Sequence, residues 1–273
     1  MGLSRTAFNY QKRVSNDECG LEQKVIETAK SANRVGYRQV GDLINNEREK
    51  EGLERVNHKR IYRVYTQNGL TLPIKKVKKG RLHTKDGACY RLKPLYKNHV
   101  WSWDFIEDKT VNGRKVRILN IIDEARHICL AAVPRRKWTA KEVVEVLSIL
   151  MFKYGVPKHL RSDNGPEFIS KAVRKWLKGI GVEIVYITPG SPWENGYCES
   201  FNARMRDEHL ACEVFGNMYE IEVLTAQWVW RYNNVRPHSA FGGLPPMEAY
   251  RRGMVPDKPP MEITPVKQSI SIA

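Results

Sequence analysis

The chain has 273 residues, 41% of them hydrophobic, which suffices for one sizeable core plus a small accessory domain and is too apolar for a disordered tail. Its formal charge of +16 favours a polyanionic partner, nucleic acid ahead of anionic membrane. The longest uninterrupted apolar run, Ile128 to Val133, falls far short of the roughly 20 residues of a spanning helix, and the start MGLSRTAFNYQKR has no hydrophobic signal core, so a cytoplasmic, non-membrane protein is expected.

Residues 1–72 read as a small helical domain. Apolar positions at Leu21, Val25, Ile26 and Ala29 predict a helix over Leu21 to Ser31, and Val40, Leu43 and Ile44 predict a second over Tyr37 to Glu51. A third opens at Asn57, a good N-cap, burying Ile61, Val64 and Tyr65 and presenting Lys59, Arg60 and Arg63 outward before Asn68-Gly69 stops it. The arrangement is helix-turn-helix-like. Any small helical bundle would show the same periodicity, and it is the basic face of the third helix that turns the reading towards DNA.

Positive charge gathers in the next segment, residues 73–98, which carry nine Lys and Arg against the single Asp86. A charge run is usually a solvated linker. Placed between two candidate nucleic-acid domains, however, Lys75, Lys76, Lys78 and Lys79 are expected to neutralise DNA phosphates without sequence specificity.

Residues 99–251 change to the pattern of an α/β domain. Trp101 to Ile106 and Lys115 to Ile122 are strand-like, with Asn112-Gly113 as the hairpin turn between them, and Ile128 to Pro134 gives a third strand. Thr139 can cap a helix that runs to Tyr154 and stops at Gly155. There follow a short strand at His159 to Ser162, a helix from Pro166 to about Lys178, a fifth strand at Val182 to Ile187 and a helix from Trp193 to Ala211. A three-strand meander followed by alternating helices and strands predicts an α/β mixed sheet flanked by helices. Residues 252–273 read as a tail. The five cysteines, Cys19, Cys89, Cys129, Cys198 and Cys212, form no C-x-x-C pair and are expected to be reduced, mostly buried thiols.

Three acids stand out within that pattern: Asp104 in VWSWDFIED, Asp163 in RSDNGPEF and Glu199 in WENGYCESF. The helix from Pro166 leads away over roughly 20 Å at 1.5 Å per residue. The next strand returns over roughly 20 Å at 3.3 Å per residue, delivering Glu199 back beside Asp163. Asp104 joins them if the first strand neighbours the fourth. Three converging carboxylates repel one another unless cations are bound. Two Mg²⁺ ions about 4 Å apart would relieve that repulsion and serve in-line displacement at phosphorus. Singly, each acid has an ordinary alternative: Asp104 paired with a lysine, Asp163 holding a turn, Glu199 solvated on a helix.

The triad, with 35 residues between its last two members, resembles the DDE core of retroviral-type integrases and bacterial insertion-sequence transposases on a ribonuclease H-like fold. VNHKRIYRVY from Val56, RSDNGPEFISKA from Arg161, ENGYCESFNARMRDE from Glu194 and YNNVRPHSAFGGLPPMEAY from Tyr232 extend the match to the second-frame protein, OrfB, of the insertion sequence three family. The resemblance covers nearly the whole chain and implies a five-stranded catalytic core. It also implies Mg²⁺ (with Mn²⁺ as a substitute) held by Asp104, Asp163 and Glu199, strand cleavage at the element's ends, and strand transfer into target DNA.

Helical arithmetic at 100° per residue adds Asn195, about 40° from Glu199, and Arg206, about 20° from it. By the resemblance Arg206 contacts the transposon-end DNA, with an ordinary surface arginine as the alternative; Asn195 orients a water or phosphate or supports the helix start. Asp123 reads as structural, and Arg236 and His238 as either DNA contacts or domain-closing residues. A sustained leucine heptad and a further helix-turn-helix ahead of Leu21 are both missing, and the histidines lack the spacing of a His-His-Cys-Cys zinc domain. The resemblance therefore implies the catalytic half of a system that works with OrfA, or fused to it, as a homo-oligomer on DNA. Two other readings compete with this one, an inactive DNA-binding regulator and a hybrid-cleaving ribonuclease.

Overall fold

The computed structural model describes residues 16–32, 34–73, 92–162, 170–187 and 195–259, which fall into two compact units. The first unit contains α1 (Asn16–Ser31), α2 (Tyr37–Lys50) and α3 (His58–Gln67). Their apolar stripes meet in a core of Val25, Val40, Ile44, Ile61, Val64 and Tyr65. Asn57 caps α3 by accepting from the Lys59 backbone N–H. Asn45 is buried here, and its amide is used at both ends: it donates to Val56 O at 3.1 Å and accepts from Val56 N–H at 2.7 Å, pinning α2 to the segment that leads into α3. Lys59 and Arg63 are exposed and Arg60 half-buried.

The second unit is built on β1 (Val100–Lys109), β2 (Lys115–Asp123), β3 (Ile128–Arg135), β4 (His159–Ser162) and β5 (Glu183–Tyr186), hydrogen-bonded in the order β3-β2-β1-β4-β5. The first three run antiparallel, while β4 is parallel to β1 and β5 to β4, so β1 does neighbour β4. The β1–β2 turn holds Gly113 at φ 75°, where a side chain would be strained, and Thr110 and Asn112 bond across it.

Alternation along β1 decides what each sheet face carries. Trp101, Trp103 and Phe105 point to one side. There they pack with α4 (Ala140–Tyr154) and α5 (Lys171–Gly179) through Val143, Leu147, Leu150, Val173 and Leu177. Ser102, Asp104 and Ile106 take the opposite side, where Ile106 meets α6 (Gly196–Met205) and α7 (Met218–Asn234) in a cluster with Cys198, Phe201, Met205 and Tyr232. A short α8 (Pro246–Arg251) follows. At α4 the Thr139–Glu142 capping box satisfies two first-turn donors, and Gly155 ends the helix at φ 94°. Among the described residues no helix is long and apolar enough to cross a membrane.

Two predicted helices differ from those observed. Among the described residues, α5 occupies Lys171–Gly179 and β5 only four residues, so the outward and return paths are each about 13 Å and still match; Pro166 lies outside those residues. The helix predicted over Trp193 to Ala211 is, among the described residues, α-helical from Gly196 to Met205 and then opens into a π turn over Arg206–Leu210. The wider turn lets His209 reach inward to Thr225 Oγ1 at 3.1 Å, and lets Glu208 meet Arg236.

Candidate active site

Asp104 lies in mid-strand, half-buried, directly opposite Asn120 of β2. Its Oδ1 accepts from the Phe105 backbone N–H at 2.7 Å, and its Oδ2 from Asn202 Nδ2 of α6 at 2.7 Å. That second bond ties the helix to the strand. Glu199 is one turn earlier on the same helix, exposed, and its carboxylate has no hydrogen bond or ion pair among the described residues. Asn202 thus ties the helix that carries Glu199 to the strand that carries Asp104. Asp163 lies outside the described residues, as do Lys75, Lys76, Lys78 and Lys79. Among the described residues no three acids, histidines or cysteines are grouped to hold a metal.

Beneath the acids, Cys198 is fully buried, and burial pushes its thiol well up, with the nearby Asp104, Cys129 and Glu124 adding to the effect. It is a neutral packing group rather than a nucleophile. Cys129 is likewise buried and raised, and Cys212 is exposed. Arg161, the third residue of β4, has its Nη1 3.5 Å from Oε1 of Glu124 with both side chains buried, and its Nη2 donates to Leu92 O at 2.7 Å. This pair braces the strand end that leads to Asp163.

The other expected residues separate by burial. Arg206 is exposed at the first position of the π turn. Asn195 is only 4% exposed at the start of α6, and its Oδ1 has no hydrogen-bond partner among the described residues. Asp123 is structural: it accepts from the backbone N–H groups of Asn98, Ala125 and Arg126, and from Arg126 Nε at 2.8 Å. Arg236 forks onto Glu208, and His238 is buried against Tyr232 with a ring-centroid distance of 4.8 Å, so both close the core.

Asn202 and Asn120 are the site residues that sequence reasoning missed. Asn202 was within reach of the arithmetic that found Arg206, since at 100° per residue it lies about 60° from Glu199. Asn120 carries no such signal, because its relevance depends on the register of β2 against β1.

Two models of the integrase core domain match the chain, over residues 95–192 and 180–246. The chain is also 34% identical to the insertion element IS407 uncharacterized 31.7 kDa protein of Burkholderia multivorans, over 91% of this chain and 87% of that one. The chain belongs to the insertion sequence three family, as an OrfB transposase. Transposase InsD for insertion element IS2 of Escherichia coli is 26% identical over 80% of this chain and 73% of its own. In fold the transposase is similar to a chain in a cryoEM structure of a simian T-cell lymphotropic virus intasome in complex with PP2A regulatory subunit B56 gamma. That likeness has a TM-score of 0.55 at 17% identity and covers 78% of this chain and 73% of the other. The five-stranded mixed sheet is thus of the ribonuclease H-like, integrase-core type.

Proposed function

We propose that the transposase cuts the ends of its insertion sequence and joins them to target DNA by magnesium-dependent phosphoryl transfer, with Asp104, Asp163 and Glu199 as the metal-binding acids. The observation that carries this reading is the Asn202–Asp104 bond, which holds the turn of α6 bearing Glu199 against the strand bearing Asp104. Asp163 directly follows the last residue of β4 in the chain, and β4 pairs with β1, the strand that carries Asp104.

The donor set fits a hard divalent ion, since the three candidates offer only carboxylate oxygens and the neighbouring thiol is held neutral. Bound there, Mg²⁺, or Mn²⁺ in its place, would activate the attacking hydroxyl and stabilise the leaving oxygen. The chain's own part is to position and to bind. Asp104 is held from both oxygens, and Glu199 stands open to solvent. Lys59, Arg60 and Arg63, with the linker lysines and Arg206, neutralise DNA phosphates. Asn195, buried at the start of α6, supports the turn that presents Glu199. Water attacks the phosphodiester at the element's end and frees a 3′ hydroxyl. That hydroxyl then attacks a target phosphodiester and displaces its 3′ oxygen, so no covalent protein intermediate forms. A homo-oligomer assembled on the two element ends, working with OrfA, is the form in which this chemistry is coupled.

The test compares wild type with Asp163→Asn on labelled element-end DNA in Mg²⁺. Loss of cleavage in the variant is expected, and equal cleavage by the two proteins would sink the metal-site assignment.

A further inference from the structure

Asp104 and Asn120 face each other across β1 and β2, on the sheet side that α6 covers. Asn202 reaches between them. Its Oδ1 accepts from Asn120 Nδ2 at 2.7 Å and its Nδ2 donates to Asp104 Oδ2 at 2.7 Å. The direction of this relay is dictated from one end. An ionised carboxylate only accepts, so the amide nitrogen of Asn202 must face Asp104; its carbonyl is then left for Asn120, which must offer its own nitrogen. Asn120 is fully buried and Asn202 is 8% exposed, beside Cys198, Phe201 and Met205. Asn120 Nδ2 also lies 3.5 Å from Met205 Sδ. An apolar side chain would pack in this environment without desolvating an amide, so two linked amides need a reason beyond packing.

We propose that Asn202, oriented by Asn120, is a positioning residue that sets the rotamer of Asp104 and its spacing from Glu199, and through these the affinity of the site for its divalent ion. This rests on the reading of Asp104 and Glu199 as metal ligands. Asn202 sits one turn after Glu199 on α6, so a single amide gauges the distance between the strand acid and the helix acid. The Phe105 N–H donates to the other oxygen of Asp104, so the carboxylate is held through both of its oxygens. Partners that orient a ligand in this way commonly matter to metal affinity nearly as much as the ligands themselves.

The experiment is a calorimetric Mn²⁺ titration of the full chain as wild type, Asn202→Leu, Asn202→Ala, Asn120→Leu and Asp104→Asn, with thermal unfolding measured alongside. Both Asn202 variants are expected to fold and to bind Mn²⁺ roughly 10-fold more weakly, and to need correspondingly more Mg²⁺ for half-maximal cleavage. Asn120→Leu is expected to lose less, because Asn202 keeps its bond to Asp104 and loses only its orientation. A folded Asn202 variant with wild-type Mn²⁺ affinity overturns the relay and leaves the ligand assignment standing. Wild-type Mn²⁺ binding by Asp104→Asn overturns the ligand assignment itself. Should neither Asn202 variant fold, the Asn120→Leu titration decides, and unchanged affinity there counts against the relay.

Discussion

Arg236 and Glu208 show how a charge suggestive of DNA contact becomes a strut once its partner is visible. Both side chains are 12% exposed, and the guanidinium donates through Nε and Nη2 to the two carboxylate oxygens. Arg236→Ala removes the guanidinium that grips both oxygens of the largely buried Glu208 carboxylate. A loss of about 3 kcal/mol in denaturant unfolding is expected, and a loss below about 1 kcal/mol would place the pair with ordinary exposed bridges. Two histidines near this strut make a second prediction. Burial lowers His209 to about 4, and burial with repulsion from Arg236, His127 and Arg204 lowers His238 to about 2. Their folded values lie below the unfolded one, so the unfolded chain binds more protons as pH falls. The stability they contribute is fully present above about pH 6.5 and is lost progressively as pH falls towards their folded values. Unfolding measured between pH 7 and pH 4.5 should show a decline on the order of a few kcal/mol, reduced when His209 and His238 are replaced by Gln. An unchanged slope in that double variant would contradict their role.

At the scale of elements, the capped helix α4 and the turn-bounded strands β2 and β4 were legible because their signals are local. Thr139 marks a helix start in a single residue, and Asn112-Gly113 marks a hairpin in two. Gly155 combines a local and a non-local constraint. Its φ of 94° is strained for any side chain, and a Cβ there would meet Asn98 Nδ2 at 2.9 Å, the same amide that donates to Tyr154 O. Gly155→Ala is therefore expected to lower stability by about 1–3 kcal/mol, read as a fall in melting temperature, whereas Gly20→Ala, in α1 with open space around it, should not. Equal melting temperatures for the two variants would refute the Asn98 contact. The π turn at Arg206–Leu210 was not legible, since it depends on Thr225 and Arg236, which are remote in the chain. The same distance hid Asn120, whose partner Asn202 is 82 positions away.

At the scale of the whole molecule, the proposed function makes DNA binding through the basic charge of residues 73–98 and of α3 a matter of counterion release. Replacing Lys75, Lys76, Lys78 and Lys79 together with Ala should make the slope of log K against log salt shallower by about 3 to 4 units, measured by fluorescence anisotropy on duplex DNA, with little change in sequence preference. A slope identical to wild type would remove the linker from the DNA-binding surface. By itself the sequence determined the α/β class, the order of strands and helices, the three candidate acids and the basic linker, because periodicity, capping residues and charge act over a few neighbouring residues. Only the tertiary structure decided that β1 lies between β2 and β4, that Asp123, Arg236 and His238 are structural, and that Asn202 draws α6 onto Asp104. Those facts depend on which strands pair, in what register, and which polar groups must find partners once water is excluded.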